Sequence, residues 1–226
     1  MPVAGLDVSD AAVGRPPQNP CEQQELLLAE KRCALGEEHP ETLGAMLDLA
    51  DCLWVQGRLM AARRLEERVV AGRRRQFGQR HFDTLKAIGK LAVTMAAQGE
   101  LAEARLLQEE VVDGMRRLRG ETNLETLRAV NNLAGTIAAQ GDCAAARALL
   151  ESVVASASRE FGEQHPDSLV AMSNLAAVLW QEGDREEAYA LQQQVVEMHC
   201  CTHGEDHHAT RAAAAILELM GQRTEF

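Results

Sequence analysis

The chain has 226 residues, of which 46% are hydrophobic and 25% charged, and its formal net charge is −11 at pH 7. This composition is typical of a folded protein with a substantial core. Such an acidic chain is a poor partner for nucleic acid, because phosphate binding needs clustered positive charge. No apolar run approaches the ~18 residues of a membrane span, so no membrane partner is expected.

The first segment, residues 1–20, contains four of the six prolines and lacks the basic and apolar stretches of a secretory signal. We predict a disordered N-terminal leader there. The six cysteines contain no CxxC pair and no regular framework. Reduced thiols and a cytoplasmic location are therefore expected.

From residue 21 onward the chain repeats itself with a period of 42 residues and no insertion. Equivalent positions hold the same residue in successive periods, as in the column Gly36, Gly78, Gly120, Gly162 and Gly204. Two further columns are alanine throughout and include Ala134 and Ala146. Self-similarity at a fixed period is the signature of a repeat array.

Each period is predicted to form two helices. Apolar residues in the first half, such as Leu43, Met46 and Leu53, follow the spacing of one helical face. A recurring histidine precedes this helix and is expected to hydrogen-bond locally, while glycine ends it. Asp142 and Asp184 are predicted N-caps of the second helix.

These signals divide the chain into a half-repeat cap helix, four full repeats, one terminal helix and a short tail, with ten helices in all. The boundaries are 21–34 for the cap, 35–76, 77–118, 119–160 and 161–202 for the repeats, 203–220 for the terminal helix and 221–226 for the tail. In the terminal helix, Ala213, Ile216, Leu217 and Met220 are expected to pack on the second helix of repeat four, leaving another apolar face uncovered.

Two stretches carry a family resemblance, LGEEHPETLGAMLDLADCLWVQGRLMAARRLEERVV (35–70) and FGEQHPDSLVAMSNLAAVLWQEGDREEAYALQQQVV (161–196). They resemble the 42-residue tetratricopeptide repeats of kinesin light chains and nephrocystin-like proteins. This resemblance implies an all-α fold, an α-solenoid of stacked helix-turn-helix repeats that winds into a right-handed superhelix. It also implies that the first helices line a concave groove.

Transferring the family's groove positions to this chain gives a candidate peptide-binding surface. Amides can hydrogen-bond a peptide main chain in both directions, and cations can meet a carboxylate, so a ligand with an acidic group is expected. A merely solvated helical face is the alternative, and for the tryptophans core filling is the alternative. The candidate residues are the cations Lys86, Lys90 and Arg128, the amides Asn131, Asn132 and Asn174, and the apolar anchors Trp54 and Trp180.

No other motif indicates chemistry. No nucleophile, phosphate-binding or zinc-protease motif is present, so we predict neither an enzyme nor a cofactor site. The cysteines and histidines between His199 and His208 are read as structural rather than as a metal site. Glu66 and Gln108 are placed on the outward, solvated faces of second helices.

The sequence therefore predicts a non-enzymatic module that binds a peptide segment of a partner protein in the groove. The alternative is a structural or regulatory scaffold that forms homo-oligomers through its terminal helices or controls a partner domain in a larger assembly.

Overall fold

The computed structural model describes residues 19–222, which form ten α-helices and no strand. The predicted all-α chain of stacked helical repeats is confirmed. Most of the predicted leader and the last four residues of the predicted tail lie outside the described residues. The helices are α1 (Pro20–Leu35), α2 (Pro40–Val55), α3 (Leu59–Phe77), α4 (Phe82–Ala97), α5 (Leu101–Arg119), α6 (Leu124–Ala139), α7 (Cys143–Phe161), α8 (Pro166–Glu182), α9 (Arg185–His203) and α10 (His208–Gln222).

The chain divides into two compact units on either side of the Gly72–Arg73 bond. In the first unit, α1 packs against α2. In the second unit, each helix from α4 to α10 packs against the next one along the chain. Here α6 also contacts both α4 and α8, so the first helices of three repeats lie side by side.

The recurring histidines cap the first helices. The backbone N–H groups of Glu41, Asp83 and Asp167 donate to the Nδ1 atoms of the histidines two residues earlier. These bonds satisfy donors that a helix start leaves without intrahelical partners. Asn123 replaces histidine before α6 and accepts from Glu125 in the same way. The predicted local role of the histidines is confirmed.

The two predicted aspartate caps differ. The Asp142 carboxylate accepts from the Ala145 N–H, as expected. Asp184 occupies the N-cap position of α9 but makes no capping hydrogen bond with its side chain. Its carboxylate instead binds Arg147 at 2.8 Å, so an ion pair to the preceding repeat replaces the predicted capping hydrogen bond.

Alanine sets the spacing of the paired helices. Ala134 of α6 and Ala146 of α7 are completely buried, as are their equivalents in the other repeats. A residue without a side chain beyond Cβ lets neighbouring backbones approach closely. The larger buried hydrophobic side chains are mainly Leu, Val, Ile and Met.

The cysteine prediction is wrong for two residues. Cys21 of α1 and Cys52 of α2 form a disulfide, with their Cα atoms 5.5 Å apart. They lie on antiparallel neighbouring helices, so a separation of 31 residues in sequence brings the two side chains together. The argument for a reducing compartment therefore does not apply to this pair. The other four cysteines are free thiols.

One predicted boundary shifts, and the predicted packing of the terminal helix holds only in part. Pro20 belongs to α1 rather than to the leader, and the side chain of Asn19 caps this helix by accepting from the Glu22 N–H. In α10, Ala213 and Met220 are buried as predicted, whereas Ile216 is exposed. Among residues 19–222, no helix is both long enough and apolar enough to cross a membrane.

Candidate functional site

The predicted groove residues of the second unit lie on α4, α6 and α8 and differ in exposure. Lys86, Arg128 and Asn132 are exposed, whereas Lys90 and Asn174 are half-buried. Asn131 is buried, with 9% of its surface accessible. We call this surface the amide face, after Asn131, Asn132 and Asn174.

Arg128 is held by two carboxylates of the chain itself. Its Nε and Nη2 atoms donate to the two oxygens of Asp167, at 2.6 and 2.9 Å, and Nη1 contacts Glu125 at 3.4 Å. The hydrogen bond to Asp167 raises the pKa of Arg128 above its usual value. This bidentate salt bridge joins α6 to α8 and leaves Arg128 less able to bind a carboxylate of a ligand.

Asn131 and Asn174 are joined across the same two helices. The Asn174 side-chain N–H donates to Asn131 Oδ1 at 3.1 Å. This bond leaves a second N–H of Asn174, the Asn174 oxygen and the NH₂ group of Asn131 for other partners. Asn132, next in the chain, exposes its amide to solvent.

An open pocket of about 200 Å³ adjoins these asparagines, and we call it the amide pocket. Its polar lining consists of uncharged side chains, and its apolar lining comes from the ends of α4 and α6 and the start of α5. The polar residues are Gln108, Asn131, Asn132, Thr136 and Asn174, and the apolar ones are Val93, Ala96, Leu101 and Ala139.

The family model described as tetratricopeptide repeat matches residues 41–117 and 125–200, together more than half of the chain. The chain belongs to the tetratricopeptide repeat family. No curated protein sequence matches it.

Solved structures of tetratricopeptide repeat proteins show the same fold. A candidate kinesin light chain from Podosopora anserina, with nearly identical TPR-like repeats, is 30% identical. It covers 81% of this chain and 87% of its own, with a TM-score of 0.61. A variant of that protein gives a TM-score of 0.63 at 30% identity, covering 80% and 86%.

BtubC (BKLC) from P. vanneervenii is 15% identical and covers 92% of this chain and 94% of its own, with a TM-score of 0.66. At this identity the likeness concerns the fold alone. Proteins of the tetratricopeptide and kinesin light chain-like class are generally non-enzymatic scaffolds that bind protein partners.

Gln108 is the pocket residue that sequence reasoning missed. It was expected to face solvent, yet only 3% of its surface is accessible, and its equivalent Glu66 is buried as well. Gln108 lies four residues after Ala104 and three before Val111, both of which are buried. This helical spacing would have placed it on the inner face, despite its polar side chain.

The two predicted lysines differ in their surroundings. Lys86 is exposed and forms no ion pair with any residue between 19 and 222. Lys90, one turn later on α4, is half-buried. Together with Arg128, these are the cations that the sequence placed on this face, and Arg128 is the one bound to Asp167.

Neither tryptophan is buried in the core. Trp54, in the first unit, exposes 41% of its surface. Trp180, in the second unit, is half-buried, and the Arg185 guanidinium lies 5.3 Å from the centre of its ring. This placement argues against the core-filling alternative.

The histidines near the end of α9 form a row of ring contacts. The ring centres of His203 and His207 are 4.5 Å apart, and those of His207 and His208 are 4.2 Å apart. His199 is buried beside them. Across the part of the chain that the structure describes, no three His, Cys, Asp or Glu side chains converge as metal ligands would.

Proposed function

We propose that this tetratricopeptide repeat protein is a non-enzymatic module that binds an extended segment of a partner protein on the amide face. The amide pocket carries this proposal, because it adjoins three asparagines that can donate to and accept from a peptide main chain. Uncharged amides recognise the main chain rather than particular side chains.

An acidic group of the ligand is expected near α4. Lys86 is exposed and forms no ion pair with a described residue, whereas Arg128 is already paired with Asp167. Exposed ion pairs contribute little and are screened by salt. Binding should therefore weaken with ionic strength without being lost.

The test compares the wild-type protein with the double variant Lys90→Ala/Asn132→Ala. Both proteins are immobilised, a lysate of the host is passed over them, and retained proteins are identified by mass spectrometry. The segment responsible is then synthesised, and its Kd is measured by fluorescence anisotropy. The double variant should lose binding while its helicity and melting stay nearly unchanged, since neither side chain is fully buried.

A matched control is Arg117→Ala/Gln194→Ala. It removes the same charge and one amide from exposed positions of the second helices α5 and α9. This control should bind as the wild type does. A partner segment that binds the Lys90→Ala/Asn132→Ala variant as tightly as the parent would show that the amide face is not the binding site.

Self-association is the second candidate. Leu219 of α10 exposes 61% of its surface and Ile216 exposes 38%. Burying such side chains between two copies would be favourable. Light scattering over a range of concentrations measures the mass in solution. A strict monomer whose mass is unaffected by Leu219→Glu would exclude this role.

A further inference from the structure

We propose that the amide pocket receives a neutral primary amide, the side chain of an asparagine or glutamine in the bound segment, and that Gln108 Oε1 accepts one of its N–H groups. This inference deepens the proposed function of the amide face and rests on it.

Gln108 is a buried amide whose oxygen lacks a partner. Its Oε1 atom accepts no hydrogen bond from any residue that the structure describes. A buried polar atom without a hydrogen bond destabilises the fold, so such atoms are rare unless something else satisfies them. Gln108 also lines the amide pocket, which is the open space beside it.

Repeats three and four avoid this situation in two ways. In repeat four the equivalent residue is Gln192, whose oxygen accepts from the Ser173 hydroxyl at 3.0 Å. In repeat three the equivalent residue is Leu150, which is fully buried and has no polar atom in its side chain. Repeat two keeps the glutamine but has Gly89 in the place of Ser173. The hydroxyl that would satisfy Gln108 is therefore missing.

The lining of the pocket selects a neutral group. None of the lining residues carries a charge. An ammonium group would lose its hydration there without gaining a counter-charge. A carboxylate would present only acceptors to the Gln108 oxygen, which needs a donor.

A primary amide matches both sides of the pocket. One of its N–H groups can donate to Gln108 Oε1, while its oxygen accepts from the NH₂ group of Asn131, which the bond to Asn174 leaves unused. The last side-chain torsion of glutamine has a broad energy profile, so the Gln108 amide can turn toward a ligand at low cost.

The experiment uses three probes of nearly equal size, propionamide, propionate and propylammonium. Each is titrated into ¹⁵N-labelled full-length protein, and the side-chain NH₂ signals of Gln108, Asn131 and Asn132 are followed by NMR. Propionamide should shift these signals and saturate, with a Kd at least tenfold lower than that of either charged probe.

Three variants locate the binding. Gln108→Leu copies Leu150 of repeat three, and Gly89→Ser copies Ser173 of repeat four, so both place side chains that the fold already accommodates. Each should weaken propionamide binding at least tenfold, read from the Asn131 and Asn132 signals. Gly44→Ser is the control, since a Cβ at Gly44 meets nothing within 4 Å and this glycine lies in the first unit. It should bind propionamide as the wild type does.

Folding provides an independent readout. Gly89→Ser should raise the urea midpoint above that of Gly89→Ala, because its hydroxyl supplies the hydrogen bond that Gln108 lacks. Equal midpoints would show that Gln108 needs no donor. Propionate binding as tight as propionamide binding, or unchanged binding to Gln108→Leu, would also overturn the inference.

These outcomes are separable from those of the proposed function. If propionamide fails to bind but Lys90→Ala/Asn132→Ala still loses the partner segment, the amide subsite is wrong and the amide face stands. If the double variant keeps the partner segment, the proposed function fails, and with it the assignment of the pocket to a side chain of that segment.

Discussion

Replacing Gly114 with alanine should destabilise the protein relative to the same replacement at Gly89, although both glycines lie inside helices of repeat two. A Cβ at Gly114 would lie 2.5 Å from Leu85 Cδ1 and 2.9 Å from Cδ2, whereas one at Gly89 would lie 3.7 Å from its nearest neighbour. Each alanine gains ~1 kcal/mol of helix propensity, which cancels in the comparison. The steric term remains, and overpacking a core by one methyl group costs ~1–3 kcal/mol.

Leu85 is buried, so it has little room to yield. Gly89→Ala should therefore raise the free energy of unfolding by up to ~1 kcal/mol. The free energy of unfolding of Gly114→Ala should be ~1–3 kcal/mol lower than that of Gly89→Ala. Urea unfolding followed by far-UV circular dichroism measures the stability of both variants, provided that their free energies of unfolding depend equally steeply on urea concentration. In a Leu85→Ala background the clash is absent, and Gly114→Ala should become favourable. Equal stability of the two glycine variants, or no coupling to Leu85, would refute the packing of α4 on α5 described above.

Four further predictions concern other parts of the chain. Ala134→Leu should destabilise by ~1–3 kcal/mol in urea, whereas Ala144→Leu, at an exposed position of α7, should not, because only Ala134 is fully buried. Burial, then neighbouring histidines, lowers the pKa of both His199 and His207. The folded state then binds fewer protons than the unfolded state, so stability should decrease as the pH is lowered from about 7.5 to 5.5. The decrease should be less steep in His199→Gln. A double-mutant cycle on Arg128 and Asp167 should give a coupling of at most ~1 kcal/mol that shrinks with salt, since Arg128 is exposed. Cys52→Ser should lower the stability of the first unit by up to ~3–4 kcal/mol, the chain-entropy value for a closed loop of this length, and reducing agent should affect only the parent.

The helices were predictable because their signals are local and recur in each repeat. A histidine or asparagine before the first helix and a glycine after it act within a few residues of their own position, so sequence alone places them. The glycines after the first helices, such as Gly57 and Gly183, adopt positive φ angles, a conformation that other residues reach only with strain.

Two errors and one ion pair that the sequence did not predict share a different physical origin, namely partners from another helix. Asp184 was read as a cap, but Arg147 of the preceding repeat binds its carboxylate. Arg128 is predicted to face the ligand as a cation, and Asp167, 39 residues later, binds it in the structure. Cys21 and Cys52 pair in the same non-local way. Local spacing cannot reveal which of several exposed charges or thiols will meet across a helix pair.

Because the repeat period is strict, each residue can be compared with its equivalents in the other repeats. For the amide face this comparison is informative. In repeat four, position 173 hydrogen-bonds the buried position 192, and the equivalent pairs in the other repeats of the second unit are Asn131 with Leu150 and Gly89 with Gln108. The polar pairing differs among the three repeats. Ser173 donates a hydrogen bond to Gln192, and Asn131 accepts one from Asn174 in the repeat where Leu150 replaces the glutamine. Gly89 has no hydroxyl, and Gln108 Oε1 has no donor among the described residues. The fold accommodates the arrangements of both repeat four and repeat three. Stability alone therefore does not explain the unsatisfied glutamine of repeat two. The unsatisfied Gln108 of repeat two costs stability and lines the amide pocket. A role in ligand binding would explain why this residue is retained.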